Sequence, residues 1–304
     1  MRRQIGDMNW TMKLCAVLVV FSIGISAKAR AEEFVSPDIL ILGDSQISFG
    51  SGPSFLKFFS DIKQQCHPTP KQEKYLKTLG DMKVGVIGVR STSIHSWTAR
   101  KGRAKGAVCD VDPKWKVNAG SYGYLNQTGN KYVQIGRGTP YQFCEANKSP
   151  FETMFRKDYY DPKLLLLSFL GNSSRRWAES KEMAAEDVKM LTEQLPPRLP
   201  CIFMTTAPAF SKKIVERRLK AQKNIMAAFA EAGQRCTFVE GATPETVTAN
   251  QGNKHYFRLN KRGRVKDPYH PNAKAAENFF ALEMDQICGA IFEQISMIMD
   301  KPET

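Results

Sequence analysis

The chain has 304 residues, a formal net charge of +14, and 42% hydrophobic against 24% charged residues. Those fractions are ordinary for a folded chain with no long disordered-looking tract, and the length suits one large α/β domain or two small ones behind a short leader. Without residues 1–31 the charge falls to about +10, with the basic residues scattered. Such an excess suits an anionic neighbour such as an acidic polysaccharide, the cell wall or a charged membrane surface, or it serves solubility alone.

Arg2, Arg3 and Lys13 precede the apolar run "LCAVLVVFSIGISA", and two overlapping A-x-A patterns follow at Ala27-Lys28-Ala29 and Ala29-Arg30-Ala31. The run is shorter than the ~20 residues that span a bilayer, so residues 1–31 read as a cleaved signal peptide. That predicts a periplasmic or secreted protein with no stable membrane span after cleavage. Six cysteines lie beyond it, and an even number in an exported chain favours disulfides. Fifteen connectivities are open to six cysteines, and their order suggests Cys109 with Cys144, Cys201 with Cys236, and Cys66 with Cys288.

In chain order, near-continuous apolar runs stand at 38–43, 83–89, 163–171, 201–207 and 236–241. Runs of this kind are strands buried on both faces, as in a parallel sheet covered by helices. Helical spacing appears between them: Phe55, Phe58, Phe59 and Ile62 over 55–65, and Met183, Met190 and Leu191 over 179–195. Ser211 is placed to cap a helix carrying Ile214, Ala221, Ile225 and Ala228, and a last helix after His270 carries Phe280, Met284, Ile287, Ile291, Ile295 and Ile298. The β-α alternation predicts one doubly wound α/β domain over 32–304. The stretch at about 100–148 breaks the rhythm. It reads as an insertion with strand-like pieces "YVQI" and "YQFC", pinned by a disulfide and forming part of a substrate wall, or as a decorative loop.

In an open parallel sheet, ligands bind beyond the carboxyl ends of the strands. Ser45 in "GDSQ" follows the first run, Gly88 closes the second, Gly171-Asn172 the third, and "VKDPYHPN" brings Asp267 and His270 before the last helix. A serine hydroxyl needs a base to become a nucleophile, and a carboxylate that orients the base completes the arrangement. His270 has an Asp three residues upstream; His67, His95 and His255 do not, although His95 also lies near a strand end. The Ser45 N–H, the Gly88 N–H and the Asn172 amide are the expected donors to an oxyanion, with Gly85 in the same run as Gly88. No C-x-x-C or H-E-x-x-H pattern, phosphate loop or nucleotide fingerprint occurs, so no metal or other cofactor is expected. The basic residues do not interleave with aromatics as nucleic-acid binders require.

These four blocks resemble the SGNH hydrolase superfamily, the GDSL-type esterases, as an exported bacterial member. Block one corresponds to "GDSQ", block two to Gly88 in "VIGVRSTSI", block three to "GNSS" and block five to "DPYH". The resemblance implies a three-layer α/β/α sandwich with a five-stranded parallel sheet. It makes Ser45 the nucleophile, His270 the general base and Asp267 its orienter, with Ser45, Gly88 and Asn172 forming the oxyanion hole. Two positions depart from the family pattern: Ser173 replaces a common Asp, and Gln46 replaces a common Leu.

The expected activity is hydrolysis of small, acetyl-like esters on a carbohydrate outside the cytoplasm. Arg90, Arg175 and Arg176 are placed to meet acidic groups, and Trp97, Trp115, Tyr122, Tyr124, Tyr132 and Trp177 to stack on sugar rings. An O-acyltransferase using the same triad, a lipid or thioester hydrolase, and a non-catalytic glycan-binding relative remain as alternatives.

Overall fold

β1 (Ile39–Gly43), with sequence ILILG, carries no polar side chain and is buried throughout. β2 (Val84–Val89), β4 (Leu164–Ser168) and β5 (Cys201–Met204) are buried along their whole length in the same way. A strand of this kind is stable only with apolar cover on both faces. The computed structural model describes residues 36–100, 119–124, 147–156, 159–233 and 235–300. The predicted leader, Cys109, Cys144 and the two strand-like pieces of the insertion lie outside the described residues.

Between and after the strands run α1 (Gly52–Ser60), α2 (Glu73–Gly80), α3 (Ile94–Thr98), α4 (Pro150–Met154), α5 (Ser174–Glu179), α6 (Lys181–Gln194), α7 (Lys212–Glu231), α8 (Pro244–Asn250), α9 (Ala273–Leu282) and α10 (Met284–Met299). With β3 (Ala119–Tyr124) and β6 (Thr237–Val239), the sheet has six strands in the order β3-β2-β1-β4-β5-β6. Five are parallel, as expected for the α/β/α sandwich. β3, from the insertion, pairs antiparallel with β2 and extends that edge, so the edge strand of the parallel set does not stay unpaired.

The two-residue period of the strands divides the core. Leu40, Leu42, Leu165, Leu167 and Phe203 pack with Trp97, Trp177, Val188 and Ile225 on one face of the sheet. Ile39, Ile41, Leu164, Leu166 and Ile202 pack with Phe55, Phe59, Phe280 and Ile291 on the other. Each such side chain, fully buried, contributes about 1.5–3 kcal/mol.

The helices follow the expected pattern with four corrections, the last helix being broken at Glu283 into α9 and α10, with Ile298 41% exposed. The segment 55–65 is broken at Asp61, which leaves Ile62–Gln65 as a separate short helix. The segment 179–195 is broken at Ser180, whose hydroxyl accepts the Met183 N–H and starts α6 there. Met183 itself is 41% exposed, and Ala184, Val188 and Leu191 face inward together with Asp187. The Trp177 indole N–H donates to Asp187 at 2.8 Å, which gives this buried carboxylate a partner on the inward face. Ser211 caps α7 as expected, accepting the Ile214 N–H.

Chain order sends β2 to one side of β1 and β4 to the other. In open α/β sheets such a reversal, here at the carboxyl end of β1 beside Gly43, is where ligands bind. Two of the expected disulfides are present. Cys66–Cys288 ties the segment after α1 to α10 across 222 residues, and Cys201–Cys236 ties β5 to the start of β6 across 35. The Cys201→Ala/Cys236→Ala chain is expected to lose about 2–4 kcal/mol of stability by restoring loop entropy to the unfolded state. Urea unfolding of the non-reduced protein checks this, and a change below about 1 kcal/mol would contradict it.

Candidate active site

The chain turns directly from β1 into a helical segment. Asp44 N–H donates to the Ser168 carbonyl of β4, and Ser45 and Gln46 open the helical run that continues through Ile47–Ser51 into α1. A side chain at Gly43 would lie 2.6 Å from the Ser168 carbonyl oxygen. Only a glycine lets the turn sit this tightly on β4. Ser45 is 9% exposed at the head of this turn.

His270 comes from the loop that leads into α9. Its Nε2 lies 2.8 Å from Ser45 Oγ, and its Nδ1 lies 2.8 Å from Asp267 Oδ2. With a carboxylate at Nδ1, that nitrogen holds the proton and Nε2 is left to accept the Ser45 hydroxyl. Asp267 Oδ1 accepts the N–H groups of Tyr269 and His270 at 3.0 and 3.2 Å, so the carboxylate folds its own loop around itself. Partial burial pushes the Asp267 carboxyl up, but the His270 hydrogen bond and the two N–H groups outweigh that and hold it below the ordinary range. A lowered carboxyl favours folding above its unfolded pKa of about 4, and that contribution fades as the pH drops through the folded value.

The loop is held by its carbonyl groups. Tyr269 C=O accepts from Gln46 Nε2 at 3.0 Å and from Arg218 Nη2 at 3.2 Å. Pro268 C=O accepts the Phe210 N–H at 2.9 Å. Arg218, on α7, is 3% exposed, and a second bond joins its Nη1 to the Ala207 carbonyl at 3.2 Å. Burial pushes its guanidinium down to about 10, against the opposing pull of Asp44. Asp44 is fully buried, and desolvation raises its carboxyl, opposed chiefly by the Gln46 N–H and then by Arg218. A methyl group at Gly171 would lie 3.3 Å from Asp44 Oδ2 and 3.5 Å from Arg218 Nη2. Both groups therefore close on that bare α-carbon.

The remaining predicted site residues separate into two sets. Asn172 sits at the end of β4 and donates from Nδ2 to the Thr92 carbonyl at 2.8 Å, which ties it to the turn after β2. An amide nitrogen has two hydrogens, so this bond leaves one to give. Gly88 lies inside β2, where a side chain would meet Ile47 and the Ser48 nitrogen at 2.7 Å. Its bare α-carbon thus seats the helical turn behind Ser45. Arg90 stacks its guanidinium 3.7 Å over the Phe49 ring, whose centroid is 4.5 Å from that of His270.

Trp97 and Trp177, expected as stacking faces, are fully buried in the core, so neither can present a ring to a ligand. Arg175 pairs with Glu179 at 2.9 Å, and Arg176 pairs with Glu186 at 2.6 Å and with Asp187 at 3.5 Å. These acids come from within the fold, not from a substrate. His95, the other histidine near a strand end, faces Asp187 at 3.7 Å. The exposed rings beside the triad are Phe49 and Tyr269, at 39% and 47%. A 490 Å³ cleft lined by Arg156, Lys163 and Arg198 lies near the start of β4 and β5 and includes no Ser, Cys or His.

Sequence reasoning missed Arg218, Gln46 as a donor, Phe49 and Ser91. Ser91 follows β2 with φ 63°, in the left-handed region that a side chain rarely adopts. Arg218 carried a signal: it lies on the apolar stripe of α7, four residues after Ile214 and three before Ala221.

No family model matches the sequence, and no curated protein matches it. Among solved structures, a peptidoglycan O-acetylesterase aligns at 12% identity and TM-score 0.32, over 47% of this chain and 41% of its own length. A DUF4886 family protein from Bacteroides uniformis aligns at 11% identity and TM-score 0.37, over 88% and 96%. An active-site mutant of a family two carbohydrate esterase from Clostridium thermocellum aligns at 11% identity and TM-score 0.35, over 83% and 64%. The chain thus spans less than half of the first of these and just under two thirds of the third. At such scores the three likenesses carry no weight for what this chain does.

Arg218→Met is expected to cost about 3 kcal/mol, because it takes the cation away from buried Asp44 and leaves the Tyr269 and Ala207 carbonyl groups without that donor. Urea unfolding at neutral pH measures it. A loss under about 0.5 kcal/mol would show that the buried arginine does not hold the loop.

Proposed function

We propose that the protein is a serine esterase that removes small acyl groups, acetyl being the type case, from a carbohydrate outside the cytoplasm. The observation that carries this reading is the continuous contact from Ser45 Oγ through the His270 ring to Asp267, with both links at 2.8 Å. It lies where the strand order reverses, which is where an α/β sheet binds ligands. The four-block resemblance read from the sequence supports the same chemistry.

In this proposal His270 Nε2 takes the Ser45 proton as Oγ bonds to the ester carbonyl carbon, while Asp267 stabilises the imidazolium. Negative charge gathers on the former carbonyl oxygen. The Ser45 N–H and the remaining Asn172 N–H are the proposed donors to it; Gly88, expected as a third, lies within the sheet between Gly43 of β1 and Gly120 of β3. When the tetrahedral intermediate collapses, the C–O bond to the sugar breaks and His270 gives its proton to the departing hydroxyl. A water then loses a proton to His270 and attacks the acyl-Ser45 carbonyl; release of the acid returns the proton to Ser45. No metal or organic cofactor enters this scheme.

Phe49 and Tyr269 supply apolar faces beside the triad suited to a sugar ring, with Arg90 behind Phe49. The two disulfides support a periplasmic or secreted location, since such bonds persist in oxidising compartments. Among the described residues no helix is long and apolar enough to cross a membrane.

An organophosphonate is expected to label Ser45 covalently, with the label absent from Ser45→Ala. His270→Ala is expected to lower kcat for an activated acetyl ester by about four orders of magnitude with an unchanged circular dichroism spectrum. Turnover within tenfold of the wild type would rule out His270 as the base.

A further inference from the structure

The segment RLNKRGRVK, residues 258–266, places five cations and no acid in nine residues, directly before Asp267. It forms an ordered hairpin. Leu259 and Val265 bridge antiparallel, and the Lys266 N–H donates to the Arg258 carbonyl at 2.7 Å. At the tip, Asn260 Oδ1 accepts the N–H groups of Arg262 and Arg264 at 2.9 and 3.1 Å, and Gly263 takes φ 68°. The base joins the triad loop: Phe257 bridges to Pro271, the residue after His270, and the Asn272 N–H donates to the Tyr256 carbonyl at 2.8 Å. Phe257 is buried, with its ring 5.4 Å from that of Phe210.

Arg258, Lys261, Arg262, Arg264 and Lys266 are all exposed, and among the described residues none has an acid within ion-pair distance. Some exposed cations elsewhere pair with acids, as in Arg175–Glu179, Lys189–Glu193 and Lys212–Glu216, and others such as Lys213, Arg217 and Lys220 do not among the described residues; the hairpin differs in holding five on one short turn with no acid among them. Charge kept only for solubility would be interspersed with acids in that manner, because like charges on a short ordered hairpin repel one another. The nearest carboxylate in sequence, Asp267, is occupied by His270.

We infer that this basic hairpin binds a carboxylate-bearing polysaccharide and feeds its acylated sugars to Ser45. The inference rests on the esterase reading for its second half and on the hairpin alone for its first. Three of the five cations are arginines, whose planar forks match carboxylates in pairs of hydrogen bonds. The tip, Lys261-Arg262-Gly263, has no apolar side chain to enter a bilayer, and no aromatic residue lies between the cations to stack on nucleic-acid bases. A glycan strand lying along the hairpin passes Tyr269 and Phe49 as it reaches the triad.

The test compares the wild type with the variant Arg258→Gln/Lys261→Gln/Arg262→Gln/Arg264→Gln/Lys266→Gln. The readout is the ratio of kcat/KM on O-acetylated polygalacturonate to that on 4-nitrophenyl acetate, with O-acetylated glucomannan as the neutral polymer. The polygalacturonate ratio is expected to fall about tenfold or more in the variant and the glucomannan ratio to stay within twofold. In the wild type alone, raising salt from about 50 to about 300 mM is expected to lower the polygalacturonate ratio as well, a result that does not depend on the variant folding. Binding of unacetylated polygalacturonate to Ser45→Ala, with and without the hairpin substitutions, tests the hairpin without any turnover. If no ester is hydrolysed but this binding is present and lost with the substitutions, the esterase reading fails and the polyanion site stands. Equal binding with and without the hairpin cations, or binding to phosphatidylglycerol vesicles in place of polygalacturonate, would overturn the inference.

Discussion

The candidate site depends on one backbone carbonyl. Ser45 and His270 are 225 residues apart, and the loop that carries His270 lies between the Leu259–Val265 hairpin and α9. Its position is set where Tyr269 C=O accepts from Gln46, the residue beside Ser45, and from Arg218, the cation buried in α7. Gln46 thus ties the base to the nucleophile directly, and Arg218 ties both to the helix layer. Burying a guanidinium costs several kcal/mol, which the two carbonyl groups and the facing Asp44 carboxylate offset. Removing any one of these partners leaves charge without compensation beneath Ser45.

The larger framework serves this contact. β1 ends in a glycine because the turn to Ser45 presses on the Ser168 carbonyl, and Gly88 is bare because the helical turn after Ser45 presses on β2. The strand order reverses at β1 beside the site, and Phe210 holds the loop from the β5 side through Pro268. Electrostatics act over a wider range. The carboxylate of Asp267 is neutralised locally by His270 and two N–H groups, while five cations with no ion-pair partner among the described residues project from the segment before it.

Much of this was legible in the sequence because burial on two faces leaves a clear mark. The five parallel strands, the Ser211 cap and two disulfide pairings could be read from apolar runs, residue type and cysteine order. What was not legible involved polar groups on buried faces. Met183 looks like core and Asp187 like surface until the Trp177 indole turns inward to meet that carboxylate. Trp97 and Trp177 look like sugar platforms, yet their area is worth more to the core. Arg218 is a cation on an apolar stripe, spaced among Ile214, Ala221 and Ile225, and residue type alone does not mark it as buried. The basic hairpin was diluted in a whole-chain charge count, where paired and unpaired cations weigh the same.

The central claim, that the Tyr269 carbonyl holds the base on the nucleophile, is tested most directly by steady-state kinetics of Gln46→Leu on an activated acetyl ester. The substitution preserves bulk and removes one donor to that carbonyl. Loosening His270 relative to Ser45 is expected to lower kcat about tenfold, with KM within twofold, because the lost alignment is felt in the transition state. A kcat within twofold of the wild type would contradict the account.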